Sequence, residues 1–85
     1  MEMDNQHLGS AVEKTFNSIL TLIREDSFSL GDRLPSEIDL CDEFQVGRGT
    51  IREASRLLKA RGFLEVRPGK GTYIISKTGA NRDEL

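Results

Sequence analysis

Apolar residues recur at helical spacing through the first part of the chain. Val12, Phe16, Ile19, Leu20 and Ile23 fall at offsets 0, 4, 7, 8 and 11, which is one face of a helix. Ser10 followed by Glu13 has the form of a capping box, in which hydroxyl and carboxylate satisfy free N–H groups at a helix start. The spacing therefore predicts a helix from about Ser10, with polar, aperiodic Met1 to Gly9 as a mobile tail. Ser29-Leu30-Gly31-Asp32 breaks the period, and Pro35 sets an extended entry to the next element. Ser36 with Asp39 repeats the capping pattern and opens a short helix whose inward positions are Leu40, Cys41 and Phe44. Gln45-Val46-Gly47 is a tight interruption with one apolar anchor. A third helix follows over Arg48–Arg61, with Ile51, Ala54, Leu57 and Leu58 on one face. Gly62 occupies a C-cap position, with Lys59 and Arg61 suitably placed in the last turn. The period then changes to two. Phe63–Arg67 and Thr72–Ser76 read as strands joined by the turn Pro68-Gly69-Lys70-Gly71.

Three helices followed by a β-hairpin give an α+β, mainly α, winged helix-turn-helix. Two short helices separated by about three residues cannot lie antiparallel and must cross steeply. Such an architecture needs a third helix with one apolar face and one free face. Arg48, Arg52 and Arg56 recur every four residues, away from the Ile51, Ala54, Leu58 stripe.

Charge sharpens this picture. The formal net charge is −2, which by itself argues mildly against a nucleic-acid partner. The distribution reverses that argument. Residues 1–44 carry three bases against ten acids, whereas residues 47–77 carry eight bases against Glu53 and Glu65. Polarisation of this kind between halves points to nucleic-acid contact. A length of 85 residues fits one small domain and disfavours an enzyme with a deep pocket. The single Cys excludes an internal disulfide framework, and one His without a Cys cluster offers no metal site. The acidic N-terminus lacks the regions of a signal peptide, so the expectation is a cytoplasmic domain. Two near-matches fail: Gly69-Lys70-Gly71-Thr72 lacks the glycine spacing and following helix of a phosphate loop, and Gly47-Arg48-Gly49 lacks the third glycine of a dinucleotide site.

The run from Leu34 to Ile74, LPSEIDLCDEFQVGRGTIREASRLLKARGFLEVRPGKGTYI, resembles the DNA-binding domain of the GntR family of bacterial transcription regulators, and the likeness covers about residues 10–76. It is carried by Leu34-Pro35-Ser36-Glu37, by Arg48-x-Thr50-Ile51-Arg52-Glu53-Ala54 and by Gly69-Lys70-Gly71-Thr72, in that order. The resemblance implies a DNA-binding set of Ser36, Arg48, Gly49, Thr50, Arg52, Gly69 and Lys70. Arg48 and Arg52 would reach guanine edges, Thr50 a phosphate or a thymine methyl, and Gly69-Lys70 the adjacent minor groove. Relatives often carry Ser or Thr at the positions of Gly47 and Gly49 and some carry Arg at that of Ile38, so those contacts are missing from this chain. The family also implies a palindromic operator read by a homodimer, and a C-terminal domain that holds the dimer and binds a small-molecule effector. This chain contains none of that domain and no cofactor site. It is expected to be monomeric or weakly dimeric alone, with residues 77–85 opening a linker. VGRGTIREA and EVRPGKGTYI look closest to the fatty-acid-repressor-type branch.

Competing readings stand beside this one. Arg56, Lys59 and Arg61 are as well explained by a solvated helix face, and Arg67 and Lys77 either touch phosphate beside the wing or do nothing. Cys41 is expected to pack in the core. A winged helix can also bind protein through a basic face. Single-stranded nucleic acid would need exposed aromatic platforms, and the five aromatics lie mostly at core-like positions.

Overall fold

A computed structural model describes residues 2–79, with side chains from Gly9 onward. Three helices, α1 (Glu2–Ile23), α2 (Glu37–Phe44) and α3 (Arg48–Ala60), precede the strands β1 (Leu64–Arg67) and β2 (Gly71–Ile74). The expected winged helix-turn-helix is present. Among the described residues no helix is long and apolar enough to cross a membrane.

The core is one cluster in which α3 lies against α1. Phe16, Ile19 and Ile23 of α1 meet Ile51, Ala54 and Leu58 of α3, and Leu40 of α2 together with Leu34, Phe63, Leu64 and Ile74 closes the remaining sides. Ala54 in the middle of the α3 stripe lets the two helices approach closely. Fully buried Ile19, Ile23, Ile51 and Leu58 each contribute about 1.5–3 kcal/mol relative to exposure. Cys41, Phe44 and Val46 are half-buried and pack on the edge of this cluster.

The helix ends are set by local chemistry. Ser36 caps α2, its hydroxyl accepting the Asp39 N–H at 3.2 Å. Gln45 closes α2 in the left-handed conformation at φ 56°, a position that glycine fills more often. Its side chain compensates by donating to the Asp42 carbonyl at 2.7 Å. The α3 terminus is a Schellman motif. The Phe63 N–H reaches the Leu58 carbonyl at 2.9 Å and the Gly62 N–H reaches that of Lys59 at 3.0 Å, with Gly62 at φ 86°. Buried Phe63 and Leu58 supply its apolar contact, and the chain passes directly into β1.

Several features differ from the sequence reading, and the second strand, expected over Thr72–Ser76, runs from Gly71 to Ile74. α1 starts at Glu2, so Ser10 lies within the helix and the run 2–9 is helical. Glu, Met, Gln and Leu in that run are good helix formers and two acids sit near the N-terminus, so a helix anchored downstream extends through it. The sheet also has a third member. Leu34 donates to the Thr72 carbonyl at 2.7 Å, Gly31 to that of Ile74 at 2.7 Å, and Ile74 to that of Asp32 at 2.9 Å. Residues 31–34 thus pair antiparallel with β2, with Arg33 opposite Tyr73.

The segment after β2 folds back. Lys77 Nζ donates to the carbonyls of Glu25 and Phe28 just beyond α1, and Arg24 Nε donates to the Lys77 carbonyl at 2.8 Å. Gly79 rests on the Phe63 ring, where a Cβ would come within 3.0 Å of Cζ. Residues 77–79 of the expected linker are therefore packed on the domain, and residues 80–85 lie outside the described part.

At Gly71 the backbone has φ +125° and a Cβ would lie 2.9 Å from Arg33 Nε. Gly71→Ala is expected to destabilise the chain by about 1–3 kcal/mol, read from urea unfolding. Gly49→Ala, where nothing lies within 4 Å of the Cβ position, should not lower stability.

Candidate nucleic-acid interface

α3 turns its apolar stripe to α1 and its arginine row outward. Arg48 and Arg52 occupy the first two turns, with side chains 58% and 55% exposed. Gly47 is the helix N-cap, without a side-chain bond, so the first N–H groups of α3 carry no side-chain cap and point outward with the helix dipole. Gly49 follows in the first turn with open space around its Cβ position, and Thr50 is half-buried.

Glu37, the first residue of α2, joins this row. Its carboxylate lies 3.2 Å from Arg52 Nε and 3.7 Å from Arg48 Nη2, so one acid holds two guanidinium groups. These pairs are exposed and each contributes at most about 1 kcal/mol to stability. Arg52 is hydrogen-bonded to the carboxylate while Arg48 meets it only as a longer ion pair, so the anchor acts chiefly on Arg52. Beside them a recess of about 430 Å³ opens between α3, the start of α2 and the hairpin. Arg33, Arg52, Arg56 and Lys59 line it against the single acid Glu37.

The hairpin tip has the geometry its residues favour. Pro68 and Gly69, with Gly69 at φ 76°, are closed by the Lys70 N–H bonding the Arg67 carbonyl at 2.9 Å, as in a type II turn. The Tyr73 hydroxyl donates to the Lys70 carbonyl at 3.4 Å, and Arg67 lies over the Tyr73 ring at 4.4 Å while binding Glu65 at 3.1 Å. Lys70 is exposed, and its ammonium has no partner among the described residues.

The expected site residues thus fall into three places. Arg48, Gly49, Thr50 and Arg52 stand together on the first turns of α3. Ser36 abuts them through Glu37, its hydroxyl already engaged as the α2 cap. Gly69 and Lys70 stand apart at the hairpin tip. Three other basic residues sort themselves out. Arg56 pairs with Glu53 on its own helix at 3.8 Å, Arg61 turns the other way to cover the Phe16 ring at 5.0 Å, and Lys77 is used against α1. Lys77 belongs to neither of the two roles considered for it from sequence. Glu37 and Arg33 were missed. Glu37 lies in the quoted Leu34-Pro35-Ser36-Glu37 motif, and that was the available signal.

The family model for bacterial regulatory proteins of the gntR family matches residues 11–74. The chain belongs to the gntR family. Among curated gntR-like relatives, the Uxu operon regulator of Haemophilus influenzae is 31% identical over 74 residues, covering 82% of this chain and 28% of that protein. The HTH-type transcriptional regulator LutR of Bacillus subtilis is 42% identical over 53 residues, 62% of this chain and 24% of that protein. The solved structure of a Streptococcus agalactiae GntR superposes with TM-score 0.76 at 50% identity, covering 85% of this chain and 35% of that one. This gntR-family chain is a winged-helix DNA-binding domain of a transcription regulator. It spans about a quarter of the length of the curated relatives it matches.

Replacing Glu37 by Gln removes the shared anchor without removing volume. Stability should change by less than about 1 kcal/mol. Binding to random duplex should strengthen as a negative charge leaves the face, while the ratio of specific to random binding falls. Competition titrations measure both, and an unaltered ratio would show that Glu37 does not position the arginines.

Proposed function

We propose that this domain recognises a double-stranded operator with α3 in the major groove and the hairpin tip, residues 68–71, in the adjacent minor groove. The observation that carries the reading is the arginine row of α3, exposed and jointly held by Glu37, on the face opposite the core. A guanidinium fork matches O6 and N7 of guanine, a pair of acceptors that distinguishes G·C from A·T in the major groove. Arg48 and Arg52 take this role. Gly49 and Thr50, with the N-terminal N–H groups of α3, and Ser36 at the start of α2 meet phosphate oxygens, as helix N-termini favour. Gly69 lets the backbone approach the minor groove closely, and Lys70 brings a cation into its negative potential.

A palindrome requires two such helices about one DNA turn, ~34 Å, apart. Among the described residues the apolar stripes of α1 and α3 are buried against each other, and Leu30, Ile38, Val66 and Ile75 are the large apolar side chains left exposed. The greater length of the curated relatives supports a dimer held by a further domain, and in this reading that domain binds a small-molecule effector and makes the protein a metabolite-responsive repressor. Alone, the 85-residue chain should sediment as a monomer or weak dimer at micromolar concentration. A dimer mass that does not change over a hundredfold dilution would contradict this.

Titration of selected duplex against scrambled duplex at two salt concentrations tests the reading as a whole, and equal affinity for both would overturn it. Arg48→Ala or Arg52→Ala should cost ~1–3 kcal/mol of binding and relax preference at one base pair per half-site. Unchanged discrimination in either variant would remove that residue from base reading. Lys70→Ala should weaken specific and random binding by similar factors and flatten the slope of log K against log salt by about one unit. A slope equal to that of the unsubstituted chain would place the hairpin tip off the DNA.

A further inference from the structure

The recess between α3 and the hairpin holds cations that the rest of the domain leaves unused. Arg52, Ser55, Arg56 and Lys59 follow one another on α3 at spacings of three or four and all line it. Arg52 is bonded to Glu37, and Arg56 is paired with Glu53. Lys59 has neither a hydrogen bond nor an ion pair among the described residues. Arg33 is likewise unpaired there. It lines the recess from residues 31–34, and its side chain crosses Gly71, where a Cβ would lie 2.9 Å from Nε. Ser55 on α3 and Thr72 on β2 also line the opening, and their hydroxyls bond to nothing in the described part.

Packing does not account for this group. Leu64 and Ile74 are buried in the core, whereas Val66, on the same face of the hairpin and opposite Thr72, is 46% exposed. The hairpin therefore parts from α3 beyond the Leu64 and Ile74 pair and leaves a gap. Two unpaired cations and two free hydroxyls, brought from three elements to one opening, suit an anion that accepts several hydrogen bonds, and phosphate is such an anion. The one acid in the recess, Glu37, already has Arg52 on its carboxylate. DNA geometry supplies the phosphate. One sugar–phosphate strand separates a major groove from the adjacent minor groove. With α3 in the first and the hairpin tip in the second, that strand has to cross the space between them.

We propose that Arg33 and Lys59, with the Ser55 and Thr72 hydroxyls, form a phosphodiester-binding site for the strand that runs between the two grooves. The assignment rests on the reading of α3 and the hairpin tip as the two groove-entering elements. The site reads no base; it fixes the angle at which both elements enter.

The test neutralises one phosphate at a time. A duplex site is selected from random sequence with the 85-residue chain, and each phosphate of the half-site is replaced in turn by an uncharged methylphosphonate. Binding of the unsubstituted chain, Arg33→Gln and Lys59→Gln is measured by fluorescence anisotropy, with circular dichroism to verify folding. At one phosphate per half-site the replacement should weaken the unsubstituted chain about tenfold, the worth of one charge-assisted contact. Each variant should cut that penalty to about threefold or less, with the penalties at other phosphates and the ratio of selected to scrambled binding unchanged. Lys59 is exposed and unpaired, so Lys59→Gln decides the matter even where Arg33→Gln disturbs the hairpin at Gly71. Variants that keep the full methylphosphonate profile overturn the proposal, and so does a loss of affinity that leaves every phosphate equally sensitive. Inorganic phosphate, titrated against the chain alone and followed through the Ser55 and Thr72 amide resonances, tests the other source of the same chemistry. Saturation at micromolar phosphate, with the duplex profile unaltered in both variants, would make the recess a site for a free phosphorylated ligand and overturn its assignment to the strand. Failure of the unsubstituted chain to prefer selected over scrambled duplex would remove the DNA reading and the proposal with it.

Discussion

The packing of α3 on α1 is the constraint from which the rest of this domain follows. A helix with one apolar stripe has to bury it, and Ile51, Ala54 and Leu58 find Phe16, Ile19 and Ile23 across the interface. Once that face is committed, the rotation of α3 about its axis is fixed, and the arginines four residues apart have no direction but outward. α2 then acts as a brace. Its single buried residue, Leu40, anchors it to the core, and its first residue reaches across to hold the arginine row. The Schellman end of α3 carries the same logic forward, because Phe63 both completes the helix terminus and meets Phe16 edge-to-face at 6.4 Å. Helix, turn and hairpin are thereby referred to one frame.

Charge follows the same division. The acids concentrate in α1, α2 and the loop between them, and the bases in α3 and the hairpin, so a chain of net charge −2 still presents a positive face. Where acids do enter that face they have specific partners: Glu37 with Arg48 and Arg52, Glu53 with Arg56, and Glu65 with Arg67. A net charge averages over this arrangement and hides it.

What could be read from sequence was what local chemistry determines. The periodicity of α3, the Ser36 cap, the Gly62 terminus and the Pro68-Gly69 turn are set within a few residues, and the structure has them within one residue of their expected bounds. The start of α1 was misplaced because Ser10 and Glu13 imitate a helix start, and nothing local reveals that the helix continues upstream. The pairing of residues 31–34 with β2 depends on a contact some forty residues away, and Gly31 to Leu34 has no alternation to announce it. In the candidate site, the four-residue repeat of Arg48 and Arg52 was legible because it is a property of one helix. Glu37 stood out only as part of the Leu34-Pro35-Ser36-Glu37 motif, and its pairing was hidden, since its partner Arg52 lies 15 residues along the chain. The inward turn of Lys77 was equally hidden, because a lysine after a strand looks the same whether solvated or bonded to helix-end carbonyls.

With residues 31–34 on one side of it, β2 occupies the middle of the sheet and β1 carries an open edge. Such an edge is a template on which a strand of another molecule can add. Here it is four residues long, bears Glu65 and Arg67, and runs into Pro68, which has no N–H to offer. Short, charged and interrupted, it is poorly suited to continued strand pairing. The hairpin can project from the body of the domain without seeding aggregation, and contacts between copies are left to be made by other surfaces.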